Sequence, residues 1–163
     1  KHMHLMDFGS GTGLLLERIA PQVKKITAID ISKSMNEQLA KKQASLDCEL
    51  DIRDVNLVTS DINDTFDGII SSMAFHHIQD INTMFAKFYL MLNHKGFIAI
   101  ADIDEEDGSF HKEDTGVHHL GFDRDVIANA AKQAGFKEVE VKDASMVYKP
   151  QGEYPVFLLT GKK

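Results

Sequence analysis

Short apolar runs alternate with amphipathic helical patterns along almost all of this 163-residue chain. Such alternation predicts an α/β fold, because parallel strands joined by helices form a sheet that is covered on both faces. Helices are predicted over 13–20, 32–44, 81–92 and 123–135, with Ser34 and Glu37 at capping-box spacing in the second and Asp123 as the N-cap of the fourth. Strands are predicted over 4–8, 25–30, 55–60, 67–73, 97–102, 137–145 and 154–161, and we expect the last two to pair in antiparallel fashion.

Composition narrows the class of protein. No apolar run approaches the ~20 residues that a membrane-spanning helix needs. The single cysteine, Cys48, rules out an internal disulfide and is compatible with a reducing compartment, so a cytoplasmic protein is expected. A net charge of −7 disfavours general binding to phosphate backbones, so we expect no nucleic-acid partner and no membrane partner. Residues 1–163 are interpreted as a single domain.

A glycine-rich turn, DFGSGTG over 7–13, directly follows the first predicted strand. Glycines allow a ligand to approach the backbone closely, and the next helix directs free N–H groups at an anion. The dinucleotide pattern G-x-G-x-x-G is not completed, because Leu14 stands at its third glycine position. Asp7 is unfavourable beside a pyrophosphate but suits a ligand that carries an ammonium group as well as a carboxylate.

The turn resembles the first motif, D/E-x-G-x-G-x-G, of the class I S-adenosylmethionine-dependent methyltransferases. Asp30 in AIDISKSM, Asp61 in TSDIND and the segment SSMAFHHIQD resemble the later motifs of this family, in the same order. The resemblance implies a doubly wound, mostly parallel seven-stranded sheet with helices on both faces and an antiparallel last strand. It also implies an S-adenosylmethionine site formed by Asp7, Gly9, Ser10, Gly11, Asp30, Ile31, Met35, Asp61, Ile62, Ser72 and Met73.

In that family, the residues matching Asp30 and Asp61 bind the ribose hydroxyls and the adenine amino group. Two features depart from the family pattern. The chain begins almost at the first strand, whereas family members usually carry a preceding helical segment, which we therefore expect to be lacking here. The NPPY or DPPY element of enzymes that methylate nucleic-acid or glutamine nitrogens is replaced by SSMA at residues 71–74.

Histidines and acids after the fourth and fifth strands are candidates for the acceptor side. His76, His111, His118 and Asp102 follow strand ends, where a general base for a hydroxyl or activated-carbon acceptor would lie. The long segment 101–122 fits three interpretations: a substrate-covering loop, an acidic solvated flap, or a metal site using His118 and His119. The metal site is the weakest of these, since adjacent histidines rarely share one ion, and no metal is expected.

The sequence therefore predicts methyl transfer from S-adenosylmethionine to a small-molecule acceptor. Two alternatives remain open at this point. One is a non-catalytic domain that binds the cofactor, and the other is a nicotinamide-dependent oxidoreductase, which Leu14 and Asp7 disfavour.

Overall fold

The computed structural model describes residues 1–111 and 117–163. The strands in these ranges are β1 (His4–Phe8), β2 (Lys25–Ile29), β3 (Glu49–Arg53), β4 (Phe66–Ser72), β5 (Leu92–Ile103), β6 (Lys137–Lys149) and β7 (Gly152–Lys162). The α-helices are α1 (Leu14–Ile19), α2 (Lys33–Lys42), α3 (Ile81–Met91) and α4 (Arg124–Gln133). None of these helices is long and apolar enough to cross a lipid bilayer.

The strands of the described residues form one seven-stranded sheet in the order β3-β2-β1-β4-β5-β7-β6. Neighbouring strands are parallel except that β7 runs antiparallel to both β5 and β6. The predicted fold class is therefore confirmed. Strand order reverses between β1 and β4, and ligands of such sheets bind beyond the carboxyl ends of the strands at this point. The glycine turn follows β1 at this position.

Two hydrophobic cores cover the two faces of the sheet. One is built mainly from α3, α4 and the strands, with Phe75, Phe85 and Phe88 fully buried. The other packs α1 and α2 against the opposite face, with Leu16 and Leu39 fully buried. Apolar residues at helical spacing produce both arrangements, because each helix presents one apolar stripe to the sheet. The two cores fix the strand ends, and with them the site.

The prediction of a third strand over 55–60 is wrong. The third strand is β3, and it pairs in parallel with β2 from Lys25↔Glu49 to Ile29↔Arg53. The polar alternation ELDIR suits an outer strand, and Arg53 fixes its end by hydrogen bonds to both Asp51 and Asp64. The apolar run after it forms a turn instead, since the Asn56 side chain accepts from the N–H of Val58.

Smaller corrections concern element ends. Ser32, not a Ser34–Glu37 capping box, begins α2, because its hydroxyl accepts from the N–H of Met35. The predicted helix caps elsewhere hold: the Asp123 carboxylate accepts from two N–H groups of α4. Strands β6 and β7 are longer than predicted, because their antiparallel pairing extends beyond their apolar segments. Strand β5 begins earlier than predicted, at Leu92, which pairs with Phe66 of β4.

Candidate cofactor and acceptor site

The glycine turn crosses the end of β2 closely. The N–H groups of Gly9 and Ser10 both donate to the carbonyl of Ile29. Gly9 has φ 70°, and a Cβ added there would lie 2.4 Å from the Cβ of Ala74. Both the backbone conformation and the space therefore require glycine at this position.

Asp30 connects this turn to the start of α2. Its two carboxylate oxygens accept from the N–H groups of Gly11 and Ser32, each at 2.8 Å. The carbonyl of Asp30 in turn accepts from the side-chain amide of Asn36. Backbone donors thus hold the carboxylate at the end of β2, and each oxygen keeps a further lone pair for a ligand hydroxyl.

A cavity of about 340 Å³ opens beside the turn. Its lining includes the predicted residues Asp7, Gly9, Ser10, Gly11, Met35, Ser72 and Met73. The volume lies within the range of ordinary small-molecule sites. Predicted cofactor residues from three separate segments are therefore brought together around one space. Leu14 also lines the cavity and is 71% exposed. The predicted residue Ile31 is outside the lining and is 68% exposed, so apolar side chains reach the surface in this part of the fold.

The Asp7 carboxyl is the most perturbed group of this cavity. It is only 2% exposed, and its Oδ2 atom has no hydrogen-bond partner in the described structure. Burial, with the nearby charge of Asp30, raises the pKa of Asp7 to about 8. The hydroxyl of Ser10 is likewise buried without a partner. Both groups have unused capacity for a polar ligand, and a cation would favour the ionised form of Asp7.

Asp61 and Ile62 do not join this site as predicted. The Asp61 side chain is 84% exposed and pairs with Lys87 at 3.1 Å, and Ile62 packs against the core on the α3 side of the sheet. Because β3 ends at Arg53, the acid that directly follows this strand is Asp54. The backbone N–H of Asp30 donates to the carbonyl of Arg53, so Asp54 lies beside Asp30. The alternating pattern ELDIR before Asp54 is the signal that would have identified it.

His76 and Asp102 form a buried pair on the acceptor side. His76 lies in the 3₁₀ turn Phe75–His77 after β4, and Asp102 lies near the end of β5. They are 2% and 0% exposed respectively, and the ring Nδ1 lies 2.9 Å from Oδ1. The carboxylate also accepts from the backbone N–H groups of His76 and Ile103. The structure therefore brings together two of the predicted catalytic residues.

Of the other two predicted catalytic residues, His111 joins this pair and His118 does not. The rings of His76 and His111 lie 5.1 Å apart, and burial lowers the pKa of His111, with the positive charge of Lys149 acting in the same direction. His118 is exposed and only its backbone N–H reaches the pair, by donating to the carbonyl of His76.

The long segment 101–122 contains residues 112–116, which lie outside the described residues. Among the residues that the structure does describe, no group of three or more histidine, cysteine or carboxylate side chains is arranged to hold a metal ion. His119, the other half of the proposed metal pair, faces the carbonyl of Gln79 and stacks on Phe122. The metal interpretation gains no support from this part of the chain.

Comparison with known proteins gives a consistent result. A methyltransferase domain model matches residues 6–98, more than half of the chain. An uncharacterized methyltransferase of Schizosaccharomyces pombe is 31% identical over 156 residues, covering 85% of this chain and 55% of that protein. One from Bacillus thuringiensis is 30% identical over 138 residues, covering 83% and 58% respectively. The chain thus spans little more than half the length of these relatives.

Solved structures show the same fold. Phosphoethanolamine N-methyltransferase 2 of Haemonchus contortus, in complex with S-adenosyl-L-methionine, superposes with a TM-score of 0.80 at 14% identity, covering 100% of this chain and 49% of that one. The N-methyltransferase NodS of Bradyrhizobium japonicum superposes with a TM-score of 0.77 at 15% identity, covering 98% and 85%. The matching domain model shows that the chain belongs to the methyltransferase domain family, and the solved structures show that it has the fold of class I S-adenosylmethionine-dependent methyltransferases.

Proposed function

We propose that this chain transfers the methyl group of S-adenosylmethionine to a small-molecule acceptor. The observation that carries the proposal is the cavity at the glycine turn, where Asp7 Oδ2 and the Ser10 hydroxyl are buried without a hydrogen-bond partner among the described residues. S-adenosylmethionine has an ammonium group for the former and a carboxylate for the latter. A structural neighbour with this fold was solved with that cofactor bound, which supports the assignment.

The proposed roles of the other residues follow from their positions. Asp30 accepts hydrogen bonds from the ribose hydroxyls through the lone pairs that the backbone leaves free. Ile31 and Met35 supply apolar surface to the adenine. Asp54, at the end of β3, takes the adenine-binding role first assigned to Asp61.

The cofactor supplies a methyl group on a positively charged sulfur, which is already reactive toward nucleophiles. The chain's own contribution is positioning and exclusion of water. Ser72 and Met73 line the cavity at the end of β4, between the turn and the His76–Asp102 pair. An acceptor held beside them lies next to both the cofactor cavity and a buried base.

Calorimetric titration with S-adenosylmethionine and S-adenosylhomocysteine tests the proposal. Asp30→Ala should weaken binding at least about tenfold, because each lost hydrogen bond to a charged group contributes about 1.5–3 kcal/mol. Asp54→Ala should also weaken it, whereas Asp61→Ala is the matched control and should leave the dissociation constant unchanged. Absence of binding to the wild-type chain, or tighter binding of NADH, would overturn the proposal.

A further inference from the structure

Buried polar side-chain atoms without a hydrogen-bond partner occur in two regions of the described structure. One region is the glycine turn and α2, with Asp7 Oδ2, Ser10 Oγ and Asn36 Oδ1. The other includes His76 Nε2, Glu106 Oε1 and Gln151 Oε1. An unpaired buried polar atom costs about 1–3 kcal/mol, so a ligand that pairs with it is favoured. The first region is the proposed cofactor site, and the second has no role yet.

The atoms of the second region surround the dipeptide Phe110–His111. The Glu106 carboxylate accepts from the N–H of Phe110 through its other oxygen, and the Gln151 amide nitrogen faces the carbonyl of Phe110 at 3.3 Å. The ring of His76 lies 5.1 Å from that of His111. These contacts bring the segments that contain His76, Glu106 and Gln151 together around Phe110–His111.

Met73 joins this location to the cofactor cavity. It lines that cavity and also packs against the small hydrophobic cluster that contains Phe110, Ile103 and Tyr154. Its backbone has φ 59°, a left-handed conformation that is uncommon for a non-glycine residue. The N–H of Met73 donates to the carbonyl of Ala101, which holds the residue in this place. The second region is thus adjacent to the end of the cavity formed by Ser72 and Met73.

The three unpaired atoms are all hydrogen-bond acceptors. Both oxygens of Asp102 accept from backbone N–H groups, so the Nδ1 of His76 is a donor to this carboxylate, and in the neutral imidazole Nε2 is then an acceptor. The Gln151 amide nitrogen donates to Phe110, which leaves its oxygen as the unpaired atom. The Glu106 carboxylate has no donor of its own. A ligand that satisfies this region must therefore present N–H or O–H groups.

We infer that the second region is the acceptor subsite and that it selects an amine or hydroxyl compound, with His76 as the base; this rests on the proposed function.

The acceptor nitrogen or oxygen forms a bond to the methyl carbon, and the carbon–sulfur bond breaks with its electron pair on sulfur. The acceptor's proton goes to Nε2 of His76 and then to water. Asp102 is a positioning residue, since it acts through the imidazole. Carboxylate acceptors lack the donors that these three atoms require.

The inference is tested first without turnover, by ¹⁵N NMR of the histidine side chains in the full chain loaded with S-adenosylhomocysteine. His76, identified by loss of its signals in His76→Gln, should be the Nδ1–H form with an unprotonated Nε2. Asp102→Asn should change that form, whereas His94→Gln, an exposed histidine near the start of β5, should leave the His76 signals unchanged. Cofactor affinity should be the same in all of these variants.

The second measurement adds 2-aminoethanol, ethylene glycol or acetate to the same sample. We expect the His76 Nε2 signal to move with the amine or the diol and not with acetate, and Glu106→Gln to reduce the response to the amine. An Nε2–H form of His76, a response to acetate alone, or no response to any probe would overturn the inference. Since calorimetry reports cofactor binding separately, these outcomes are distinguishable from failure of the proposed function.

Discussion

Replacement of Asp7 by asparagine should stabilise the ligand-free protein while weakening its cofactor binding. Burial and the charge of Asp30 raise the pKa of Asp7 from 3.8 to about 8. In the unfolded chain this carboxyl ionises freely at pH 7, about three pH units above its ordinary pKa, whereas the folded chain keeps it protonated. At about 1.4 kcal/mol for each pH unit, this difference costs the folded state about 4 kcal/mol at pH 7. Asparagine has a similar shape and does not ionise, so it avoids the cost.

The sign of the pH dependence follows from the raised pKa. Below pH 3.8 the carboxyl is protonated in both states, so the wild type and Asp7→Asn should have equal stability. The stability of the wild type relative to the variant should fall as pH rises from there to about 8, and the difference should then be constant. At pH 5 the expected difference is about 1.5 kcal/mol.

Urea unfolding of the ligand-free proteins at pH 5 and pH 7 measures this difference directly. Asp61→Asn is the control, because that side chain is 84% exposed and the substitution should have a small effect at both pH values. An Asp7→Asn variant that is no more stable than wild type at pH 7, or a difference that does not grow with pH, would refute the reasoning. Calorimetry on the same variant should show at least about tenfold weaker binding of S-adenosylmethionine, since a charged partner of its ammonium group is lost.

Three further outcomes are expected. Binding of S-adenosylmethionine at pH 7 should release close to one proton from Asp7, seen as a dependence of the calorimetric heat on the ionisation enthalpy of the buffer. Gly9→Ala should lower the melting temperature more than Gly11→Ala, because both have positive φ but only the former would place a Cβ within 4 Å of another atom. Phe88→Ala should cost about 3–5 kcal/mol of unfolding free energy, against about 0.5 kcal/mol or less for the exposed Leu90→Ala, both measured in urea.

The sequence was sufficient to predict a helix or turn where the local pattern of residues is compatible with only one structure. The period of the apolar residues in 81–92 identified α3, and the N-cap at Asp123 identified the start of α4. The turn after β1 was recognisable because closely spaced glycines followed by a helix permit few other structures. The family and the fold class followed from these features and their order, and both are confirmed.

The sequence was insufficient in the choice between the more apolar segment 55–60 and the alternating segment 49–53. Both 49–53 and 55–60 have residues suited to a strand, and pairing with β2 selected the first, which moved the acid at the end of β3 from Asp61 to Asp54. The alternation in 49–53 was a local signal for the right strand, but the choice itself depends on pairing partners that are distant in sequence.

What the sequence determined by itself was the ends of β1, β2, β4 and β5, which carry glycines, acids and histidines, because hydrophobic periodicity and turn chemistry are local properties. Only the tertiary structure decided which of these side chains meet. Asp102 is 26 residues from His76, yet parallel pairing of β4 with β5 places its carboxylate against the imidazole. The same packing buries Asp7 and so raises its pKa, because desolvation depends on everything that surrounds a carboxyl in space.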